Sequence, residues 1–274
     1  MACRLWEAAG HAGGRCRSFH DTRLDRRIDN GNHLVLTGNS AVRNYLALTG
    51  HPEGLEAAPD AVYPFADLET GARFTVAMNR GPIPWWVASP SRRIPGTRLA
   101  DYLGAWRLFA AGPEATVADA IPDRGPLWRA FWEPMTLAVL NTTPERGQAR
   151  LLARVMRETF AKGADAARPM FAPEGLGAAL VEPAVAALAA RGVKVAHHTP
   201  LKTLERAGGR VTGLVFARHR EEIGPHDRVV LALPPSRLRT LLPELDLPDD
   251  RSAILNAHFV VEHAGALADA PPLL

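Results

Sequence analysis

The first 60 residues alternate short apolar runs with turns and then settle into one helical pattern. Residues 3–8, CRLWEA, predict a short buried strand that ends at an acidic residue, Glu7, and is followed by a glycine-rich turn. Residues 16–36 are rich in turn-forming residues and predict loop. Apolar residues return at helical spacing over residues 40–49, and Asn39 stands where a helix cap is expected.

The middle of the chain changes from strand-like to helical spacing. Residues 61–80 alternate as strands do, with a hairpin turn predicted at Thr70-Gly71. Helical spacing follows over residues 98–111, 126–140 and 144–162, and the last of these is predicted to open at the capping signal Thr143-Pro144-Glu145. Three of the six tryptophans lie in these helical segments, which predict a helical layer of their own.

The pattern changes again after Met170. An alanine-rich helix is predicted over residues 175–192, a strand over 193–198, and then two strands joined by Gly208-Gly209. Residues 229–235 are entirely apolar up to a double proline, which predicts a strand in the buried centre of a sheet. The order of elements indicates an α/β fold interrupted by a helical insertion.

Composition confirms a globular chain and narrows its setting. The chain has 274 residues, of which 47% are apolar and 22% charged, enough for one large domain or two smaller ones. No run of apolar residues is long enough to cross a membrane, and the first residues lack the apolar core of a signal peptide. Cys3 and Cys16 are too few for a disulfide scaffold, so we expect a cytoplasmic protein with free thiols.

The basic charge does not indicate a nucleic-acid partner. The net charge of +3 is the small difference between 32 basic and 29 acidic residues. The arginines are scattered along the chain and interleaved with aspartates, whereas nucleic-acid binding requires a one-sided basic face.

Candidate chemistry begins at the end of the first predicted strand. Glu7 stands where an acidic residue can accept hydrogen bonds from ribose hydroxyls, as in dinucleotide-binding units. Gly13 and Gly14 would let the backbone approach a pyrophosphate, and Arg15 could donate charge-assisted hydrogen bonds to it. The alternative interpretation is an ordinary turn with a solvated arginine.

This segment also carries a resemblance to a known family. The sequence WEAAGHAGGRCRS resembles the second-strand motif of the flavin-dependent amine oxidase and phytoene desaturase superfamily. The resemblance implies that Glu7 binds the adenosine ribose of FAD, that Gly13-Gly14-Arg15 lies along the phosphates, and that the backbone of Leu201 contacts adenine. IDNGNH at 28–33 and DRVVLALPP resemble segments that approach the flavin ring.

A narrower resemblance covers nearly the whole chain. NRGPIPWW, RRIPGTRLADYL, LWRAFWEPMTLAVLNTTPERGQARLL and AILNAHF are similar to segments of the squalene-associated FAD-dependent desaturases, the hydroxysqualene dehydroxylases of bacterial hopanoid synthesis. This implies an FAD-dependent oxidoreductase that converts hydroxysqualene to squalene with a hydride from reduced flavin. Carotenoid-type desaturation and amine oxidation are the alternatives that use the same cofactor motifs.

A C30 isoprenoid needs a long apolar cavity. The aromatic residues that we take as candidates for its lining are Trp85, Trp86, Trp128, Phe131 and Trp132. The alternative is that these side chains simply pack a helical core.

The catalytic groups are less defined than the cofactor motifs. Asp29 and His33 lie in the segment expected near the flavin and are weak candidates for the acid that protonates the departing hydroxyl, although either could instead bond to loop backbone. No set of residues has recognisable metal-ligand spacing, and Asp249-Asp250 is interpreted as a solvated turn.

The resemblance predicts a divided, Rossmann-like FAD domain. We expect the FAD-binding domain at residues 1–60 and 171–250, and an inserted helical or α+β substrate domain at residues 61–170 that resumes over 251–274. The family begins with a strand, a Gly-x-Gly-x-x-Gly phosphate loop and a helix ahead of the glutamate, and it continues beyond the last residues here.

The sequence is therefore expected to be truncated at both ends. The alternative to an enzyme is a non-catalytic remnant or an interaction protein. A lipid substrate also suggests peripheral contact with the inner face of the plasma membrane.

Overall fold

The computed structural model describes residues 3–31, 34–248 and 253–260. Short strands and short helices alternate along the described part of the chain. The strands, in chain order, are β1 Leu5–Trp6, β2 Ser18–Asp21, β3 Arg26–Asp29, β4 Val35–Leu36, β5 Glu56–Ala57, β6 Val62–Ala66, β7 Arg73–Ala77, β8 Pro169–Phe171, β9 Val195–Ala196, β10 Leu201–Ala207, β11 Arg210–Phe216 and β12 Arg220–Glu222.

The helices are concentrated in the middle of the chain. The α-helices are α1 Ser40–Leu48, α2 Ala105–Ala110, α3 Val117–Ala120, α4 Glu133–Leu140, α5 Ala149–Glu158, α6 Ala164–Ala167, α7 Glu182–Ala190 and α8 Pro235–Leu241. Short 3₁₀ helices occupy Trp85–Ala88, Leu99–Gly104 and Phe160–Lys162, and π-helical turns occupy Trp128–Trp132 and Gly177–Val181.

The described strands form small sheets. β1 pairs in parallel with β9, and β10, β11 and β12 form an antiparallel meander. β2 pairs with β3, β6 with β7, and β8 lies between β4 and β5, all antiparallel. The parallel pair is the one that matters for the candidate site, because its two strands end at the same edge.

Local turn and cap signals are confirmed. The side-chain oxygen of Asn39 accepts a hydrogen bond from the Val42 amide at 3.2 Å, so Asn39 caps α1 as predicted. The hairpin between β6 and β7 turns through Gly71, at φ 72°. Gly208 and Gly209 connect β10 to β11 with positive φ angles, which glycine adopts without strain.

Both π-helical turns are followed by a Glu-Pro pair. Pro134 and Pro183 have no amide hydrogen and cannot continue the i→i−4 ladder. The preceding amides, those of Glu133 and Glu182, donate instead to carbonyls five residues back. The widened turn therefore lets each helix pass its proline without ending.

Four groups of buried apolar side chains hold the described elements together. The largest lies among residues 76–156 and contains the helices of the middle block, including the fully buried Leu152. A second joins α1, through Leu46, to Met170 and Ala179. A third surrounds Ala61 and Ala167. The fourth packs Trp6 of β1 against β10 and β11.

Three sequence-based predictions were wrong. Residues 229–235 were predicted as a central buried strand, but 229–234 have no regular secondary structure and the side chain of Val230 is 87% exposed. No strand of the described ranges lies alongside them, and an apolar run needs such partners to become a central strand. Residues 16–36 were predicted as loop but contain β2, β3 and β4.

The start of α5 was also misplaced. The helix begins at Ala149 rather than at the Thr143-Pro144-Glu145 signal. The carbonyl oxygen of Thr143 accepts hydrogen bonds from the amides of Arg146 and Gly147, which closes a separate turn before the helix. The capping-like residues therefore start a turn, and the helix begins later.

Candidate functional site

Glu7 lies immediately after β1, at the carboxyl end of the parallel β1–β9 pair. Its Oε1 accepts a hydrogen bond from the Ala9 amide at 2.7 Å, so the carboxylate is held over its own loop. The Thr199 amide donates to the Glu7 carbonyl at 2.8 Å, and the His198 amide donates to the Ala9 carbonyl at 3.1 Å. The loop after β1 is thereby fastened to the loop after β9, which is where α/β sheets bind their ligands.

Gly13 and Gly14 form an exposed turn that continues from this loop. Both have positive φ angles, 104° and 57°, and the Cys16 amide closes the turn by donating to the Gly13 carbonyl at 2.9 Å. A Cβ on Gly13 would meet the Val181 side chain at 2.8 Å, whereas no described atom lies within 4 Å of a Cβ placed on Gly14. Gly14 therefore presents bare backbone to open space, next to the exposed Arg15.

Leu201 opens β10 opposite Phe216, with its side chain half-buried in the group around Trp6. Its carbonyl oxygen accepts a hydrogen bond from Arg237 Nη2 at 2.8 Å. The predicted contact of its backbone with adenine remains a prediction.

Asp29, a weak candidate for the catalytic acid, bonds to the start of the helix at 177–190. Its carboxylate accepts hydrogen bonds from the Leu176 amide at 3.0 and 3.1 Å and from the Ser18 hydroxyl. The Ser18 oxygen in turn accepts from the Gly177 amide at 2.8 Å. The two side chains therefore cap this helix. The sequence allowed Asp29 a structural role on backbone but could not identify these partners, because they lie far away in the chain.

Cys16 links this cap to the Gly13 turn. Its Sγ lies 3.8 Å from the Leu176 carbonyl oxygen, and burial together with the negative charge of Asp29 raises the pKa of its thiol. Cys16 and Gly13 also border an apolar cavity of about 400 Å³, which Val42, Tyr45 and Val181 help to line. The sequence marked Val42, Tyr45 and Val181 only as apolar residues of predicted helices, and it did not indicate that they line a cavity.

The aromatic candidates divide between a cavity wall and ordinary packing. Trp128 and Trp132 are almost fully buried and form part of the wall of a cavity of about 230 Å³, together with Ile121 and Leu127. Leu103 borders the same cavity from the segment at 99–110. Asp101, Arg107 and Asp123 give its lining a polar share.

The other three aromatic candidates do not line that cavity. Phe131 packs edge-on against Trp132 and Phe160, and Trp86 packs edge-on against Tyr102. Trp85 is exposed beneath the guanidinium of Arg92, at 4.8 Å from its ring. The pocket role of all five aromatic residues stays a prediction.

His33 and Asp249-Asp250 lie outside the described residues. Over 3–31, 34–248 and 253–260, no group of three or more His, Cys, Asp or Glu residues is arranged to hold a metal ion. Within these same ranges, no helix has both the length and the apolar character needed to cross a membrane.

The family model for flavin containing amine oxidoreductase matches residues 2–264. The chain belongs to this family. The match confirms the resemblance to the flavin-dependent amine oxidase superfamily.

Three curated relatives are named hydroxysqualene dehydroxylase, in agreement with the narrower resemblance. The protein from Sinorhizobium fredii is 43% identical over 259 residues, 94% of this chain and 62% of its own length. Those from Zymomonas mobilis and Rhodopseudomonas palustris are 38% and 43% identical, over 96% and 94% of this chain. This chain therefore spans only 62–64% of the length of these relatives.

Solved structures support the fold. A putative protoporphyrinogen oxidase from an Exiguobacterium species matches 90% of this chain and 56% of its own, with a TM-score of 0.53 at 16% identity. An oxidoreductase from Methanosarcina mazei matches 80% of this chain and 51% of its own, with a TM-score of 0.55 at 9% identity. Together with the family match, they show the α/β fold of the FAD-binding oxidoreductases.

The residues of the Glu7–Arg15 loop fit the adenosine diphosphate part of FAD. A half-buried carboxylate can accept from a ribose diol, bare backbone at Gly14 leaves room for a phosphate, and the exposed Arg15 guanidinium can bond to it. The loop can thus hold the cofactor by its adenosine diphosphate part.

Proposed function

We propose that this protein is an FAD-dependent oxidoreductase that removes the hydroxyl group of hydroxysqualene to give squalene. The observation that carries the proposal is the loop after β1, where the carbonyls of Glu7 and Ala9 accept hydrogen bonds from the loop after β9 and the exposed turn at Gly14 follows. The three relatives with 38–43% identity supply the substrate class.

The flavin, when bound and reduced, supplies the hydride that replaces the hydroxyl group, whose oxygen leaves as water after taking up a proton. The residues of the chain would bind the cofactor and orient it. Glu7 would hold the adenosine ribose, and Gly13, Gly14 and Arg15 the phosphates. Leu201 would contact adenine through its backbone.

The source of the proton is a separate question. Asp29 already accepts hydrogen bonds from Ser18 and Leu176 and caps a helix, which favours a structural role over proton donation. His33 remains a candidate.

The proposal divides the chain into a cofactor part and a substrate part. Two of the buried groups each join residues before 60 to residues after 169, and these would form the FAD domain at 1–60 and 171–250. All the fully buried members of the largest group lie within residues 76–156, and this group would form the inserted substrate domain, predicted to cover 61–170 and to resume over 251–274. Trp128 and Trp132 would then border the isoprenoid pocket.

The lipid substrate sets the location that we propose. Hydroxysqualene is dissolved in membranes, so the protein would work in the cytoplasm and contact the inner face of the plasma membrane peripherally. Nucleic acid has no part in this proposal.

Flavin binding tests the cofactor assignment first. The purified chain is titrated with FAD, and the dissociation constant is measured from the quenching of flavin fluorescence. Glu7→Gln should weaken binding at least about tenfold, because it replaces a charged hydrogen-bond acceptor. Glu69→Gln, in the exposed hairpin turn, is the matched control and should bind as the wild type does. A chain that takes up no FAD, or a Glu7→Gln variant with unchanged affinity, would overturn the assignment.

The substrate assignment has its own assay. The FAD-loaded protein is reduced without oxygen and mixed with hydroxysqualene in detergent, and the products are separated by chromatography. Squalene should appear in equal amount to the flavin oxidised. Flavin that stays reduced while hydroxysqualene is recovered would count against this substrate and leave the cofactor assignment standing.

A further inference from the structure

The segment at 99–110 exposes large apolar side chains. Leu99, Leu103 and Trp106 are 53%, 64% and 71% exposed. Leu103 and Trp106 are three residues apart, the spacing that places two side chains on the same face of a helix. Large apolar side chains gathered on one exposed element are typical of an interaction surface.

The opposite side of the same segment is firmly anchored. Leu108 is 1% exposed in the largest buried group, and the Tyr102 ring packs edge-on against Trp86 with centroids 5.6 Å apart. The Tyr102 hydroxyl also accepts a hydrogen bond from the Ile94 amide at 3.1 Å. The segment is therefore a fixed part of the fold that presents leucine and tryptophan outward.

The exposed charges of the segment itself and of the preceding residue are positive. The Arg98 side chain is 84% exposed, and Arg107 is exposed in the last turn of α2. Asp101 is the acidic residue of this segment, but its side chain is only 14% exposed and bonds to the backbone amide and guanidinium of Arg98. The outward charge of the segment is therefore basic.

A third arginine approaches from α5. The Arg157 guanidinium lies over the Phe109 ring at 5.4 Å, and Phe109 packs edge-on against Trp106 at 6.1 Å. Exposed tryptophan and leucine bordered by arginine is the pattern of elements that lie in the interface of an anionic membrane.

The exposed segment also borders the cavity of about 230 Å³. Leu103, Gly104 and Arg107 of the segment line it together with Trp128 and Trp132. A lipid that left a membrane beneath Leu103 would thus reach the cavity along the same segment.

We propose that the segment at 99–110 docks onto an anionic phospholipid bilayer through Leu99, Leu103 and Trp106, with Arg98 and Arg107 against the lipid phosphates. Docking brings the cavity to the membrane surface. The inference rests on the proposed function, because docking would serve to deliver a membrane-dissolved substrate. The test of docking itself needs neither flavin nor substrate.

Vesicle sedimentation of the full chain tests the docking. Vesicles of phosphatidylglycerol and phosphatidylethanolamine are compared with vesicles of phosphatidylcholine alone, and the bound fraction gives a partition coefficient. The wild type should prefer the anionic vesicles and lose binding as salt rises. The double variant Leu103→Ser, Trp106→Ser should bind at least about tenfold more weakly, because it removes two inserted apolar side chains. Arg98→Gln and Arg107→Gln should each lower the partition coefficient on anionic vesicles about fivefold.

The control is Leu68→Ser, which removes a side chain that is 96% exposed in the turn after β6 and should bind as the wild type does. Thermal melting confirms that all variants fold. In a second measurement, lipids with brominated acyl chains should quench tryptophan fluorescence in the wild type and quench it less in Trp106→Phe.

Three results would overturn the proposal. They are equal binding of the wild type to neutral vesicles, unchanged binding of the double variant, and pelleting without vesicles, which indicates self-association. The detergent assay of hydroxysqualene reports on the proposed function separately, since it contains no bilayer.

Discussion

Gly13 and Gly14 share a left-handed backbone conformation but differ in their surroundings. A side chain on Gly13 would collide with the Cys16 carbonyl and approach Val181, while one on Gly14 would point into open space. Stability should therefore depend on the first glycine and ligand contact on the second. The two glycines of this loop thus have different roles, packing for Gly13 and ligand contact for Gly14, although they are adjacent in the sequence.

Alanine at each position should separate the two effects. Gly13→Ala should lower the free energy of unfolding by about 2–4 kcal/mol, through backbone strain and the collision, and Gly14→Ala by only about 1 kcal/mol, through strain alone. Urea unfolding monitored by circular dichroism measures both. In the proposed function, Gly14→Ala should still weaken FAD binding. Equal losses of stability in the two variants would contradict the packing described for Gly13.

Tyr63 carries the clearest pH dependence among the described residues. Its hydroxyl donates a hydrogen bond to the Ala167 carbonyl, and burial raises the pKa of the phenol well above its ordinary value of 10.0. The folded protein keeps this phenol neutral, so the stabilising effect is complete below pH 10 and is lost as the unfolded chain ionises above it.

The free energy of unfolding should accordingly fall above pH 10, by up to about 1.4 kcal/mol per pH unit from this group. Tyr63→Phe should be less stable than the wild type at pH 7 by about 1 kcal/mol, because the Ala167 carbonyl loses its partner. The variant should also lose part of the alkaline decline, so the two stability curves converge at high pH. Parallel curves from pH 7 to pH 11 would show that Tyr63 titrates as an exposed tyrosine.

At the level of elements, the sequence correctly predicted the helix caps and turns that depend on contacts between neighbouring residues. The Asn39 cap, the turn at Gly71 and the turn at Gly208-Gly209 depend on residues within four positions of each other, and the structure confirms them. The strand predicted at 229–235 depended on neighbouring strands, and no such partner lies among the described residues. A sequence pattern indicates which secondary structure a segment favours, but it does not identify the strands or helices that the segment will pack against.

The cap formed by Ser18 and Asp29 shows the same limit within the candidate site. Asp29 was predicted near the flavin, yet its described partners are the Ser18 hydroxyl and the start of a helix more than 140 residues later. Nothing in the local sequence indicates this pairing, because it depends on the register of the β2–β3 hairpin, which sets Ser18 opposite Asp29, and on a helix far away in the chain.

Substitutions in this cap should affect stability first. Ser18→Ala and Asp29→Ala should each lower the free energy of unfolding by about 1–2 kcal/mol, as lost helix caps do. The double variant should lose less than the sum, because the two side chains share one hydrogen-bond network. Urea unfolding of the four proteins gives this coupling. If Asp29→Ala keeps full stability but abolishes turnover of hydroxysqualene by the FAD-loaded protein, Asp29 acts in catalysis and the structural interpretation fails.

At the scale of the whole molecule, the predicted domains should behave as separate unfolding units. Leu152 lies fully buried among residues 76–156, and Leu46 lies equally buried in the group that joins α1 to Met170 and Ala179. Leucine-to-alanine changes at such sites cost about 2–5 kcal/mol. If residues 61–170 form one domain and the segments on either side form another, each substitution should lower the midpoint of a different thermal transition.

Added FAD should raise only the transition that Leu46→Ala lowers, since a ligand stabilises the unit that binds it. Calorimetry of the wild type and both variants, with and without FAD, measures this directly. A single transition that both substitutions and FAD shift alike would show that the chain unfolds as one unit, and the division into a cofactor part and a substrate part would then describe topology without independent stability.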